Sequence, residues 1–254
     1  MIHSLNIGGG PGFRADGWLN LDEMQNVAGE GFIFDATCIV PLADKSVRLV
    51  YSSHTLEHLD DPTVARLLEE SHRVLAPDGT LVIKIPDFDA LLAAYRNDDF
   101  AYLDLPLWNM PAVVNTLANR GMVDSIATRT AWLFCGWWNR EFGHLFGNYS
   151  PYRPGAYNGP PVLTQDRLKG ILAMYSPHDI AARLREHVVA KEKHYTFNHQ
   201  NAWSRKEFIT LLQDHDFIWT CDDKDWVIAS QSAIPGIEEM RNISYYVQAR
   251  KGHG

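Results

Sequence analysis

The stretch from Leu5 to Gly12, LNIGGGPG, places four glycines within eight residues. Glycine forfeits side-chain packing and raises the entropic cost of ordering, so a core strand gains nothing from such a run. At the carboxyl end of a first parallel strand, however, a glycine-rich turn lets a ligand approach the main chain without meeting a Cβ atom. The stretch therefore predicts a nucleotide-type cofactor site.

Two cofactor classes compete for this glycine loop. A dinucleotide fingerprint requires G-x-G-x-x-G, but Gly8 and Gly10 are followed at the third position by Phe13. It also requires a helix directly behind the loop to receive a pyrophosphate, and only FRADG separates Gly12 from the apolar run WLNLD. The spacing disfavours a nicotinamide or flavin cofactor and leaves S-adenosylmethionine, which carries no phosphate, as the other class.

Three histidines could supply acid–base chemistry. His54 and His58 flank the letters TLE after the apolar run VRLVYSS, and His144 lies in the polar, aromatic stretch NREFGHLFGNYSPYRPGAYNG. A hydroxyl acceptor benefits from a general base by about 10²–10⁴-fold, so we predict these three as candidate catalytic residues. A purely structural role stays open for each of them, with His58 at the start of a helix and Glu57 beside it as a structural residue.

The same stretch combines aromatic walls with polar tips, a composition typical of a ligand cap. We predict that it binds the acceptor, although aromatic residues that merely pack on a sheet edge remain the alternative. The predicted substrate-binding residues are Arg140, Tyr149, Tyr152 and Arg153. Eleven histidines are present, but none matches H-E-x-x-H or a facial triad, so we expect no metal.

The elements that must position these residues alternate in the first third and in the tail. The predicted strands are SLNIG, WLNLD, FIFD, VRLVYSS and TLVIKIP, and later FIWTCDD, WVIAS and ISYYVQARK. Between the first set's last two strands, Asp61 is predicted to cap a helix with Pro62 at its first position. Ser176 is the predicted cap of a later helix. Strand, helix and parallel strand make a βαβ unit, so the fold class is a doubly wound α/β domain.

Residues 98–200 break this alternation over a length far beyond an ordinary connecting loop. We interpret them as an inserted cap or lid that forms the acceptor pocket. The cofactor-binding α/β core then comprises residues 1–97 and 201–254.

Four motifs in order resemble class I S-adenosylmethionine-dependent methyltransferases. LNIGGGPG resembles L-D-x-G-x-G-x-G, and Asp22 follows in GWLNLD at the place of the ribose-binding acid. FDATCIVPLADKSVRLVYSSHTLEHL resembles the D-A-x-x-L-P-F and L-E-H stretch, and RVLAPDGTLVIKIPDF resembles R-V-L-K-P-G-G-x-L-x-I-x-x-P-D. The resemblance covers residues 3–88, and its GWxNxD-like variant is similar to a small-molecule subgroup. It implies a Rossmann-like, mostly parallel sheet of seven strands.

The resemblance also implies which residues hold the cofactor. The glycines would lie against its methionine and ribose parts, Asp22 would accept from the ribose, and Asp35 with the amide of Ala36 would face the adenine. Asn6 replaces the family's first acid, so a charge-assisted contact to the ammonium becomes an amide contact. The full set is Asn6, Gly8, Gly9, Gly10, Gly12, Asp22, Asp35, Ala36, Ser53 and His54.

Composition bounds the remaining partners. A formal net charge of −8 argues against nucleic-acid or anionic-membrane binding, and no apolar run is long enough to span a bilayer. Cys38, Cys135 and Cys221 are scattered, which fits a reducing cytosol and a cytoplasmic protein. We expect methyl transfer to oxygen or nitrogen of a small metabolite or sugar derivative. Non-methyl group transfer, a non-catalytic cofactor-binding protein and a homodimer contact through exposed aromatics stay open.

Overall fold

The computed structural model describes residues 2–23, 31–105, 123–136, 163–187 and 199–252. Contacts divide the chain into two compact units, one of Met1–Pro86 with Arg205–Gly254 and the other of Asp87–Ser204. The sequence placed its boundaries at 97/98 and 200/201. The role of the middle segment as a cap over an acceptor pocket stays a prediction.

The first unit is built on a sheet that has six strands within the described residues, in the order β2-β1-β3-β4-β6-β5. β1 to β4 pair in parallel, whereas β6 runs antiparallel to both β4 and β5. The strands are β1 Ser4–Ile7, β2 Trp18–Leu21, β3 Val47–Ser53, β4 Leu75–Pro86, β5 Phe217–Cys221 and β6 Ser244–Lys251. The α/β class with a mostly parallel sheet is thereby confirmed.

The helices of the described residues are numbered in chain order. They are α1 Asp61–Val74, α2 Phe88–Arg96, α3 Phe100–Leu103, α4 Ile126–Phe134, α5 Gln165–Met174, α6 Pro177–Glu186, α7 Arg205–Asp214 and α8 Lys224–Ser230, with a 3₁₀ turn at Leu56–His58. None of the described helices has the length and apolar character that crossing a bilayer requires.

Buried apolar runs explain the central strands. All four residues of β1 are buried, and so is every residue from 81 to 86 in β4. Parallel strands covered on both faces have this continuous burial, rather than an alternation of buried and exposed residues. α1 connects β3 to β4 and buries one apolar face that includes Val64, Leu67 and Leu68.

The cap of α1 is Asp60 rather than the predicted Asp61. The Asp60 carboxylate accepts a hydrogen bond of 3.0 Å from the backbone N–H of Thr63, and the helix begins at Asp61. Pro62 is therefore the second helical residue instead of the first. Both aspartates fit the cap preference, and the choice between them depends on which backbone N–H the carboxylate reaches.

Two of the eight predicted strand runs do not form, so the described residues contain six strands, whereas the resemblance implied a sheet of seven. FIFD, residues 32–35, is irregular: Phe32 donates a single backbone hydrogen bond to the Asp22 carbonyl, at 2.8 Å, rather than joining a ladder. WVIAS, residues 226–230, lies in α8. There Asp223 accepts from the Trp226 N–H at 2.8 Å, so a local helix cap overrides the β-branched composition.

The second unit is helical in its described residues. α4 contacts α2, α3, α5 and α6, and its residues 130–134 are all buried. The apolar run that begins at Ala131 therefore forms the centre of this unit. α6 begins after Ser176, whose hydroxyl accepts from the Asp179 N–H at 3.4 Å, which confirms the predicted cap.

Candidate functional site

The carboxyl ends of β1, β2 and β3 meet at one edge of the sheet, because these strands are parallel. The chain moves from β1 to β2 on one side and then to β3 on the other side. Open α/β sheets bind ligands in the crevice that such a reversal creates. The glycine loop, Asp22 and His54 all follow directly after these three strand ends.

Residues at the end of β2 hold the glycine loop in a tight turn by hydrogen bonds. Gly8 and Gly10 have φ of +74° and +75°, a left-handed conformation that glycine adopts without strain. The Gly8 N–H donates to the Leu21 carbonyl at 2.7 Å, and the Gly10 N–H donates to Asp22 Oδ2 at 2.7 Å. The Asn20 amide donates to the Gly10 carbonyl at 2.9 Å. The predicted ribose-binding acid is thus tied to the loop.

Thr55 packs beneath the loop. Its Oγ1 lies 3.2 Å from the Ile7 carbonyl oxygen and 3.4 Å from the Gly8 carbonyl oxygen, and the hydroxyl can donate to either. A Cβ atom built on Gly8 would overlap the Thr55 side chain, with the Thr55 Cβ only 2.7 Å away. The close approach therefore requires glycine at position 8 for steric as well as conformational reasons.

The other face of the loop is bare. No atom in the described part of the chain lies within 4 Å of a Cβ built on Gly10 or Gly12. Asn6 is 2% exposed, and its side-chain oxygen has no hydrogen-bond partner among the described residues. A bare main chain beside a buried acceptor and a carboxylate fits a nucleoside that carries an ammonium group, so the residues present suit S-adenosylmethionine.

Asp35 and Ala36, predicted to face the adenine, are exposed. Asp35 Oδ1 accepts hydrogen bonds from the Thr37 N–H and hydroxyl, each at 2.7 Å. The hydroxyl contact is the main cause that lowers the pKa of Asp35 from its usual value. This carboxyl stays ionised and fixes a turn.

α1 anchors the segment that follows this turn. Glu70, which is buried, accepts from the Val40 N–H at 2.8 Å and from Arg73 Nε at 2.9 Å. Arg73 in turn donates to the carbonyls of Val40 and Leu42, both at 2.9 Å. The hydrogen bond from Arg73 holds the pKa of Glu70 below its usual value. The segment after Asp35 is thus held by the buried Glu70 carboxylate together with the partly exposed Arg73.

His54 is held at both ring nitrogens. Its Nε2 lies 2.7 Å from Ser244 Oγ, and its Nδ1 lies 3.3 Å from Glu57 Oε1. The same carboxylate oxygen lies 4.0 Å from His58 Nε2. Both predicted histidines therefore gather around Glu57, while Ser53 precedes them as the last residue of β3.

The remaining predicted site residues, His144, Arg140, Tyr149, Tyr152 and Arg153, lie outside the described residues. Three site residues escaped the sequence analysis, namely Asn20, Thr55 and Ser244. Asn20 stands two residues before Asp22, and residues two apart in an extended segment point to the same side, a spacing that could have identified it. Thr55 and Ser244 carry no local signal of a site role, because the contacts of Thr55 with Gly8 and of Ser244 with His54 join residues far apart in the chain.

Residues 17–83 match the family model described as a methyltransferase domain. This segment contains Asp22, the Asp35 turn and His54, and the match confirms the resemblance to methyltransferases. The glycine loop precedes the matched segment, and the small-molecule subgroup stays a prediction. No curated protein matches the chain.

Solved structures of low sequence identity are also similar to the chain. One is an S-adenosylmethionine-dependent methyltransferase from Mesorhizobium loti, with 16% identity, 98% of this chain and 91% of that chain covered, and a TM-score of 0.44. Another, from Methanosarcina mazei, has 13% identity, coverages of 99% and 93%, and a TM-score of 0.42. A geranyl diphosphate C-methyltransferase from Streptomyces coelicolor has 10% identity, coverages of 99% and 71%, and a TM-score of 0.38. The likeness to methyltransferases at the level of sequence is the match over residues 17–83.

Proposed function

We propose that the chain is a class I S-adenosylmethionine-dependent methyltransferase and that it methylates an oxygen or nitrogen atom of a small metabolite or sugar derivative. The match of residues 17–83 to a methyltransferase domain supports this proposal. The observation that carries the cofactor part is the contact between Asp22 and Gly10 at the sheet's switch point. It places a carboxylate and a bare glycine main chain side by side. A net charge of −8 supports an acceptor other than nucleic acid.

Each part of the site has a distinct task in this proposal. The bare face of Gly10 and Gly12 receives the nucleoside, and Asp22 accepts hydrogen bonds from the ribose hydroxyls. A carboxylate can accept several hydrogen bonds, so it can hold the loop and a ligand together. The Asn6 side-chain oxygen accepts from the ammonium, and Asp35 with Ala36 faces the adenine.

Bound S-adenosylmethionine would supply an activated methyl group on a sulfonium. The protein then has to orient the acceptor in line with that methyl and exclude water. The acceptor-binding role of residues 98–200 belongs to this proposal, with Arg140, Tyr149, Tyr152 and Arg153 as contacts and His144 as a candidate base. A cytoplasmic location is part of it as well.

Calorimetry tests the cofactor site. We expect wild-type protein to bind S-adenosylhomocysteine at micromolar concentration, and Asp22→Ala to weaken binding by about 10- to 100-fold, since a hydrogen bond to a charged group contributes about 1.5–3 kcal/mol. Asp16→Ala, which removes an exposed carboxylate from the same connection, is the matched control and should bind as wild type. Wild-type protein that binds neither S-adenosylmethionine nor S-adenosylhomocysteine would overturn the proposal.

Acceptor screening tests the reaction. Methyl transfer from labelled S-adenosylmethionine to a low-molecular-weight fraction of a lysate is the expected result. Tight cofactor binding without transfer to any fraction would favour a non-catalytic binding protein. This alternative is motivated by Asn6, which stands where the family has its first acidic residue.

A further inference from the structure

Three polar side chains of the first unit form a continuous chain beside the glycine loop. Glu57 Oε1 lies 3.3 Å from His54 Nδ1, and His54 Nε2 lies 2.7 Å from Ser244 Oγ. Ser244 is fully buried at the start of β6, 190 residues from His54 in the sequence. Serine, histidine and a carboxylate in this order match the constituents of a hydrolase triad, so their hydrogen-bond directions decide what they do.

The direction of the hydrogen bonds excludes a serine nucleophile. The Ser244 hydroxyl lies 2.7 Å from the Met240 carbonyl oxygen, which can only accept, so the hydroxyl proton is donated there. Ser244 Oγ must then accept from His54, and a proton resides on His54 Nε2. The histidine acts as donor to the serine, the reverse of what activation of a nucleophile requires.

The second ring nitrogen is committed as well. His54 Nδ1 lies 3.3 Å from Oε1 of Glu57, a carboxylate whose side chain is 0% exposed. With Nε2 donating to Ser244, that nitrogen does not take a proton from an acceptor, and Nδ1 faces the buried carboxylate. The arrangement is therefore that of a clamp.

The clamp holds a strained piece of backbone. His54 has φ of +50°, a left-handed conformation that is uncommon for a residue with a side chain and that persists only where its surroundings enforce it. Its backbone N–H donates to the Lys84 carbonyl at 2.9 Å. The residue that emerges from this turn is Thr55, whose side chain lies under Gly8.

The far end of the clamp is also held. Met240, which accepts the Ser244 proton, has φ of +57°. The preceding Glu239 carbonyl accepts a hydrogen bond of 2.6 Å from Lys84 Nζ, a side chain that is 1% exposed. A buried ammonium thus fixes the turn that presents Met240 to Ser244.

We propose that Glu57, His54 and Ser244 position the cofactor loop, and that His54 is a positioning residue and not the general base. The clamp fixes the left-handed turn at His54, and this turn places Thr55 against Gly8. The contact between Thr55 and Gly8 in turn fixes the position of the glycine loop. The inference rests on the proposed function for the identity of the ligand. The hydrogen-bond directions within the clamp, in contrast, can be tested in the protein without ligand.

Four variants test the clamp by calorimetry with S-adenosylhomocysteine. Ser244→Ala and His54→Asn should raise its Kd by tenfold or more, the latter because asparagine tolerates the left-handed backbone while lacking Nε2. Ser244→Thr keeps the hydroxyl, and its Kd should stay within about threefold of the wild-type Kd. A tenfold change in Kd corresponds to about 1.4 kcal/mol of binding free energy. Ser71→Ala, at a serine 1% exposed on α1, is the matched control and should bind as wild type.

A spectroscopic signature separates positioning from mere structural damage. In the free protein with ¹⁵N-labelled histidine, we expect the His54 ring to carry its proton on Nε2, and Ser244→Ala to shift that nitrogen. His54 with Nε2 unprotonated would overturn the inference, even if the wild type binds no cofactor. Unchanged binding in both Ser244→Ala and His54→Asn would overturn it too. So would a turnover loss of about 10²–10⁴-fold in His54→Asn at unchanged Kd, because that is the behaviour of a general base.

Discussion

Substituting alanine for the loop glycines should separate steric, conformational and ligand-contact contributions. Gly8→Ala imposes a left-handed φ of +74° on a side chain, which costs about 1–2 kcal/mol. It also drives the new methyl into Thr55, whose Cβ would be 2.7 Å away, and overpacking of this kind costs about 1–3 kcal/mol. We expect the free energy of unfolding to fall by about 2–5 kcal/mol in total.

The neighbouring glycines are the matched controls. Gly10→Ala has the same left-handed φ, at +75°, but no atom of the described chain lies within 4 Å of its Cβ, so only the conformational cost of about 1–2 kcal/mol applies. Gly12→Ala has neither a left-handed φ nor a steric overlap, so the free energy of unfolding should change by less than about 0.5 kcal/mol. Both should nevertheless weaken S-adenosylhomocysteine binding, because their added methyl groups occupy the bare face of the loop.

Urea unfolding followed by circular dichroism measures the steric and conformational contributions to stability. Calorimetry measures the contribution of the ligand contacts. In a Thr55→Gly background the overlap disappears, and Gly8→Ala should then cost only as much as Gly10→Ala. If Gly8→Ala were as stable as Gly10→Ala in the wild-type background, the steric reasoning about Thr55 would be refuted.

Two further substitutions probe the frame around the loop. Burial lowers the pKa of Lys84 from 10.5 to about 8, so between these values the unfolded chain binds a proton that the native protein lacks. Stability should therefore rise across this pH range by about 2–3 kcal/mol relative to Lys84→Met, and a flat difference between the two urea series would contradict this. Glu70→Ala removes a buried acceptor from the Val40 N–H and Arg73 Nε and should cost about 1–3 kcal/mol in the same assay, because Arg73 keeps Asp44 as an ion-pair partner. Glu69→Ala, at a carboxylate 57% exposed, should cost less than about 0.5 kcal/mol, and equal losses in the two variants would speak against the role of the buried Glu70 carboxylate.

The sequence predicted the parts of the fold whose signals are local. Buried apolar runs identified β1, β3 and β4, and glycine crowding located the cofactor loop at the end of β1. The same approach was wrong for residues 226–230, because the cap at Asp223 makes that β-branched run helical. It was wrong for residues 32–35, because one backbone hydrogen bond to Asp22 does not make a strand.

By itself, the sequence determined the class of fold and the cofactor. Glycine spacing, strand ends and capping residues act over a few positions and can be read along the chain. Only the tertiary structure decided what surrounds the loop: Thr55 under Gly8, a buried ammonium at Lys84, and Ser244 against His54. These contacts depend on strand order and register, which bring together residues that no local pattern relates.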